Sequence, residues 1–141
     1  MKTRIAAVCI LLFASVVGAG LILAREGGDH AEVSTEKLIE QALAGEDGKE
    51  VVVQTYLFPP GVVLPWHIHP DAHEIAYVLE GDFTFERAGA PPREMKAGEA
   101  DYLPPNVVHR GLNKSGQPVK LFVVRIKPKD KPLVEEVPPP Q

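Results

Sequence analysis

All 14 prolines of this chain fall after residue 58, and they mark off the second half of the sequence in short intervals. Proline removes a backbone donor and breaks the interior of a helix, so this region cannot be a bundle of long helices. Between the breaks lie Val51 to Phe58, Ile75 to Leu79, Asp82 to Glu86, Asp101 to Leu103, Val107 to Asn113 and Val119 to Lys127, all rich in Val, Ile, Phe and Tyr. The separators are Pro59-Pro60-Gly61, His69-Pro70-Asp71, Gly81-Asp82, Gly89 to Pro92, Pro104-Pro105-Asn106 and Ser115-Gly116. Short strands with turn residues at close spacing predict an all-β fold, an antiparallel sandwich or barrel. A length of 141 residues, 45% of them hydrophobic, suffices for one core.

Phe83 and Phe85 alternate with Asp82, Thr84 and Glu86, which predicts a strand with one buried and one wet face. Leu121 to Val124 is apolar on both sides, so that strand needs a cover on each face. One cover is the opposite sheet; the other is a short N-terminal helix or a second copy of the chain, making a homodimer. The helix is expected over Ser34 to Leu43, capped by Ser34 or Thr35, with Leu38, Ile39, Ala42 and Leu43 at helical spacing and Gly45 as its stop. Residues 25–50 then comprise a linker and this helix, 51–127 the barrel, and 128–141 a Pro-rich tail too poor in apolar residues to order itself. There is no internal repeat.

Lys2 and Arg4 precede an uncharged run that ends in small residues, the order of a signal peptide over residues 1–24. Cleavage after Ala19 or after Ala24 fits, and export to the periplasm or the extracellular space is expected. Ile5 to Ala24 is also just long enough for an uncleaved membrane anchor. Lys2 and Arg4 are the only charges there, so cleavage takes the formal charge from −4 to −6. It also removes Cys9, the one cysteine, leaving nothing for an oxidising compartment to cross-link. No basic block exists to neutralise phosphates, which argues against a nucleic-acid partner.

His67 and His69, two apart, project from one face of an extended segment. Glu74 follows a Pro-Asp turn at the start of the next strand, and His109 lies beyond Pro104-Pro105-Asn106. A His-x-His pair alone is more often incidental than functional. Three imidazoles and a carboxylate converging from separate strands, however, make a site for one divalent Fe, Mn, Co, Ni, Cu or Zn. His73, of opposite parity to Glu74, is expected at the surface. Trp66 and Ile68 face away from the site, towards a subunit interface or the N-terminal helix. Phe58, Leu64, Val78, Phe83, Phe85, Tyr102, Val107 and Phe122 are candidate pocket residues, and Arg110 or Arg125 could clamp an anion.

The punctuation around these residues is regular. Gly61 is followed after five residues by His67, after one by His69, after four by Glu74 and after six by Gly81. Later, Gly98 is followed after five residues by Pro104, after four by His109 and after three by Asn113. Together these closely resemble the two signature motifs of the cupin family, over about residues 51 to 127. One departure is Asn106, where the motif usually has glycine; Asn tolerates left-handed backbone, so the turn should survive. The resemblance implies a double-stranded β-helix, or jelly-roll barrel, with His67, His69, Glu74 and His109 as metal ligands. It makes Gly61 and Gly81 turn residues and Asn113 a structural support. The implied activity is that of a dioxygenase on a small chelating substrate, with Glu74 detaching as base; isomerase or lyase chemistry, or a non-catalytic binding or sensing module, are the alternatives. Outside the cytoplasm, the Irving–Williams order favours Zn or Cu at such a site.

Overall fold

The structure, a computed structural model, describes residues 32–141. The signal peptide or anchor over residues 1–24, and the first part of the linker, lie outside the described residues. Ten strands run in chain order: β1 (Ser34–Ala42), β2 (Lys49–Phe58), β3 (His67–Ile68), β4 (His73–Glu80), β5 (Asp82–Arg87), β6 (Arg93–Lys96), β7 (Ala100–Leu103), β8 (His109–Leu112), β9 (Val119–Pro128) and β10 (Glu135–Glu136). They form two five-stranded sheets, β1-β2-β9-β4-β7 and β10-β3-β8-β5-β6, with antiparallel pairing throughout. The fold is therefore the all-β architecture that the turn spacing predicts, in the jelly-roll form that the resemblance implies.

Strand parity places the core between the sheets. Along β9, Leu121, Val123, Arg125 and Lys127 are buried while the residues between them are half-exposed. Along β4, Glu74, Ala76 and Val78 point inward. Phe58, Phe83, Phe85, Met95, Leu103 and Val119 complete an apolar layer with Phe83 at its centre, edge-on to Phe58 and Phe85. Gly111 makes room for this ring, because a Cβ there would stand 2.5 Å from its Cζ. Asn113, wholly buried, bridges three segments: its amide donates to the Phe58, Pro59 and Gln117 carbonyls, and its oxygen accepts from Ser115. It supports the structure as expected of that motif position.

Two expectations are corrected here. Ser34 to Leu43 does not form a helix: Ser34–Ala42 is the edge strand β1, exposed along its whole length and paired with β2 from Ser34↔Leu57 to Ala42↔Glu50. The helical spacing of Leu38, Ile39 and Ala42 has no surface to bury itself against, whereas the ladder to β2 satisfies the backbone. A bulge at Leu38 breaks the strand alternation and so imitates helical periodicity. Residues 128–141 are not an unordered tail either. β10 pairs with β3, Val137 N–H donates to the Trp66 carbonyl, and the tail closes one side of the second sheet.

With no helix among the described residues, nothing described covers the outer face of the first sheet. Ile39, Leu57, Ile75, Tyr77, Leu79 and Tyr102 lie on it, each between 39% and 50% exposed, around the half-buried Phe122 and Val124. Trp66 and Ile68 are half-buried rather than an exposed pair. Arg110 stacks on the Trp66 ring at 4.6 Å, and Ile68 pairs with Glu135 of β10.

Candidate metal centre

The second sheet supplies the histidines. His67 in β3 and His109 in β8 are directly opposite each other, and His69 follows two residues after His67 on the same side. The rings lie 4.3 Å (His67 to His109) and 5.1 Å (His69 to either) apart between centroids. The first sheet supplies Glu74 from β4, opposite Arg125 of β9 in register. All five side chains are buried.

Each imidazole is oriented by a backbone carbonyl at Nδ1: Pro65 for His67 at 2.8 Å, Val107 for His109 at 2.8 Å, and Leu133 of the tail for His69 at 2.6 Å. A ring nitrogen facing a carbonyl must carry the proton, so Nε2 of each ring presents a lone pair. Nitrogens of the three rings approach within 4.8 Å of one another, the span that one ion can bridge. His69 Nε2 has no hydrogen-bond partner and is sealed from solvent, yet Glu74 Oε2 stands 2.8 Å from it. Two acceptors at that distance repel unless a cation or a proton lies between them. The residues present therefore fit a divalent metal, with the three histidines as its core ligands.

The turn that carries His69 is held by the residue at which this chain departs from the cupin motif. Asn106 adopts the left-handed backbone expected of it, with φ of 64°. Its side chain accepts from Asp71 N–H at 3.0 Å and donates to the Asp71 carboxylate at 2.9 Å, while Asp71 is itself left-handed with φ of 53°. The turn after His69 and the loop before His109 are thus tied to each other.

Arg125 donates from Nε to Glu74 Oε2 at 2.6 Å, and from Nη1 to Gln54 Oε1 at 3.1 Å and Tyr56 Oη at 2.7 Å. Burial alone would raise the Glu74 pKa, but its charged surroundings, Arg125 foremost, outweigh it and hold the carboxyl well below the usual range. A carboxylate held so low stays ionised at ordinary pH, as a metal ligand must. Burial depresses Arg125, while Glu74 and Tyr56 more than restore it, leaving it raised. Burial lowers His67, and it lowers His109 to about 4, so both stay neutral and able to ligate at ordinary pH.

A cavity of about 350 Å³, counting its mouth, opens beside these groups. Of the expected lining residues, Phe58, Leu64, Phe83 and Phe85 border it, as do His67, Glu74, His109 and Arg125. Val78 lies in the core away from it, Val107 lies outside the lining, and Tyr102 and Phe122 point to the opposite face of their strands. Arg110 is excluded as a clamp because it pairs with Glu86 and covers Trp66 on the outside. His73 is exposed, as expected, and hydrogen-bonds to Tyr102 Oη at 2.7 Å. Sequence reasoning missed Gln54 and Tyr56 altogether. Their signal was their alternation along β2, which puts both polar side chains on the face that Arg125 of β9 shares.

A sequence profile described as a Cupin domain matches residues 46–125. The chain belongs to the cupin family. No curated protein matches it. Among solved structures it resembles a protein with a double-stranded beta-helix domain from Klebsiella pneumoniae, at 21% identity and a TM-score of 0.59, covering 78% of this chain and 88% of that one. The DMSP lyase DddQ from Ruegeria pomeroyi is similar at 23% identity and a TM-score of 0.61, covering 80% of this chain but only 56% of that enzyme. The polyketide cyclase RemF from Streptomyces resistomycificus matches at 24% identity and a TM-score of 0.60, covering 77% of this cupin and 73% of the cyclase. At these identities the likeness is one of fold.

Two outcomes are expected from this geometry. Removing residues 132–141 deletes the carbonyl that orients His69, and metal affinity measured by competition with a chromophoric chelator should fall about 10- to 100-fold. In the metal-free chain, His109 titrates near 4 against 6.5 when unfolded, so its contribution to stability is complete above pH 6.5 and is lost as pH falls through 4. The urea midpoint of the metal-free cupin should drop over that window by the equivalent of about 3 kcal/mol, and bound metal should suppress the loss at its upper end.

Proposed function

We propose that this cupin is an exported, metal-dependent enzyme acting on a small chelating organic molecule, with His67, His69, Glu74 and His109 holding the ion and dioxygenase-type chemistry as its reaction. The observation that carries this reading is the convergence of three carbonyl-oriented imidazoles and an ionised glutamate, with His67, His109 and Glu74 on the edge of an apolar cavity. A divalent ion there would supply Lewis acidity and coordination positions for a chelating substrate. The chain's own residues do the rest. Three backbone carbonyls fix the imidazole tautomers, Arg125 keeps Glu74 charged and in place, and Phe58, Leu64, Phe83 and Phe85 keep water from the reacting face. Two of the structural neighbours named above are enzymes, a lyase and a cyclase, which supports turnover of a small molecule over simple storage.

The test is metal analysis joined to a substrate screen. Protein recovered from its native compartment should carry about one ion per chain, zinc or copper at least as often as iron, and should begin after Ala19 or Ala24. An N-terminus at Met1 would mark the anchored form instead. His109→Ala should leave the barrel folded and lower metal content at least about tenfold; equal content would remove His109 from the ligand set. Oxygen uptake across β-diketones, flavonols and catechols should identify a substrate. Bond cleavage without oxygen uptake would assign lyase chemistry, and no turnover with any metal would assign a binding or sensing role.

The uncovered face of the first sheet supports a homodimer. Its six exposed apolar side chains and their half-buried neighbours form one contiguous apolar patch of the kind that marks an interaction surface. Light scattering should return twice the chain mass, and Tyr77→Lys should return the monomer.

A further inference from the structure

The cavity holds a cation that the metal-ligating scheme leaves partly unused. Arginine has five N–H donors. In Arg125, Nε–H is taken by Glu74 and the two Nη1 hydrogens by Gln54 and Tyr56, whereas among the described residues no acceptor takes Nη2. The sealed side-chain polar atoms without a partner are, among the described residues, His69 Nε2 and Arg87 Nε. Nη2 of Arg125 is therefore not sealed, and the side chain borders the cavity.

The local charge balance leads to the same place. Glu74 and Arg125 cancel each other, and the three imidazoles are neutral ligands, so a divalent ion brings two uncompensated positive charges. The remaining walls, among them Phe58, Leu64, Ala76 and Phe83, offer no anion to balance them. Unpaired charge in so apolar a space is strongly unfavourable, and the missing negative charge must arrive with the ligand.

We propose that the ligand of this site is a small carboxylate carrying a second chelating oxygen and a short apolar chain, with Arg125 Nη2 donating to its carboxylate. This rests on the metal reading above. Arg125 is then a specificity-determining residue as well as the support of Glu74. The walls of Phe58, Leu64 and Phe83 set the limit on the apolar chain, Phe83 being fixed by its close fit against Gly111.

The test uses lactate and lactamide, which share their size and chelating oxygens and differ in charge. Calorimetric titration of the cobalt(II)-loaded protein should show lactate binding at least about tenfold more tightly than lactamide. Arg125→Lys keeps a cation against Glu74 and should retain cobalt, but should lose about fivefold or more of that preference. If cobalt does not bind the wild type, the metal reading itself fails. If cobalt binds and the preference is absent, or is equal in the wild type and Arg125→Lys, the clamp is overturned. The metal-free wild type supplies an independent reading should the variant not fold. Broadening of the ligand methyl resonance should still favour lactate over lactamide, and equal broadening overturns the proposal.

Discussion

Glu74 and Arg125 face each other across the β4–β9 ladder, both buried, and much of the interior is arranged around that pair. Taking two charges out of water is unfavourable, and well-packed apolar residues would serve a barrel core at least as well. The pair is tolerated because most of its donors and acceptors are hydrogen-bonded. From β2, Gln54 and Tyr56 accept from Nη1 of the guanidinium, Tyr56 also donates to Gln54 at 2.8 Å, and the Arg125 guanidinium lies 5.4 Å over the Tyr56 ring. Three adjacent strands of one sheet thus hold a single carboxylate ionised and fixed, towards histidines carried by the other sheet. A barrel core does not require such an arrangement, which suits the candidate metal centre instead.

The candidate ligands were legible because strand parity and turn spacing are local properties. Two histidines two residues apart must share a face, and Gly61, Gly81 and Asn106 mark turns whose positive φ is written in residue type. Asn106 shows how far this reasoning reaches. Its left-handed backbone was readable, but its side-chain link to Asp71, which joins the two loops carrying His69 and His109, was not. Such a link depends on which loops meet in space, and nothing local encodes it.

The misread parts share one cause. The segment from Ser34 to Ala42 has helical spacing only because a bulge interrupts a strand, and its structure is decided by the free edge of β2. The tail has too little apolar content to fold alone, yet it has an edge to join, that of β3. Edge strands take their conformation from the sheet they extend, so propensity within the segment carries little weight. Arg125 was visible as a candidate clamp, but its place beside Glu74 depended on the register between β4 and β9, which only the assembled sheet provides.

The tail bears on how the candidate metal centre is held. Pro65 and Val107 are two residues from the histidines they orient, so those contacts form wherever the local strand forms. Leu133 is 64 residues from His69 and reaches it only when β10 has docked on β3. His69 is also the ring whose Nε2 is unpartnered and faces Glu74. The histidine oriented by the C-terminal segment is therefore the one in contact with the glutamate held by the opposite sheet. A bound ion that links His69 to Glu74 would stabilise the docked tail by the same free energy with which the tail strengthens ion binding.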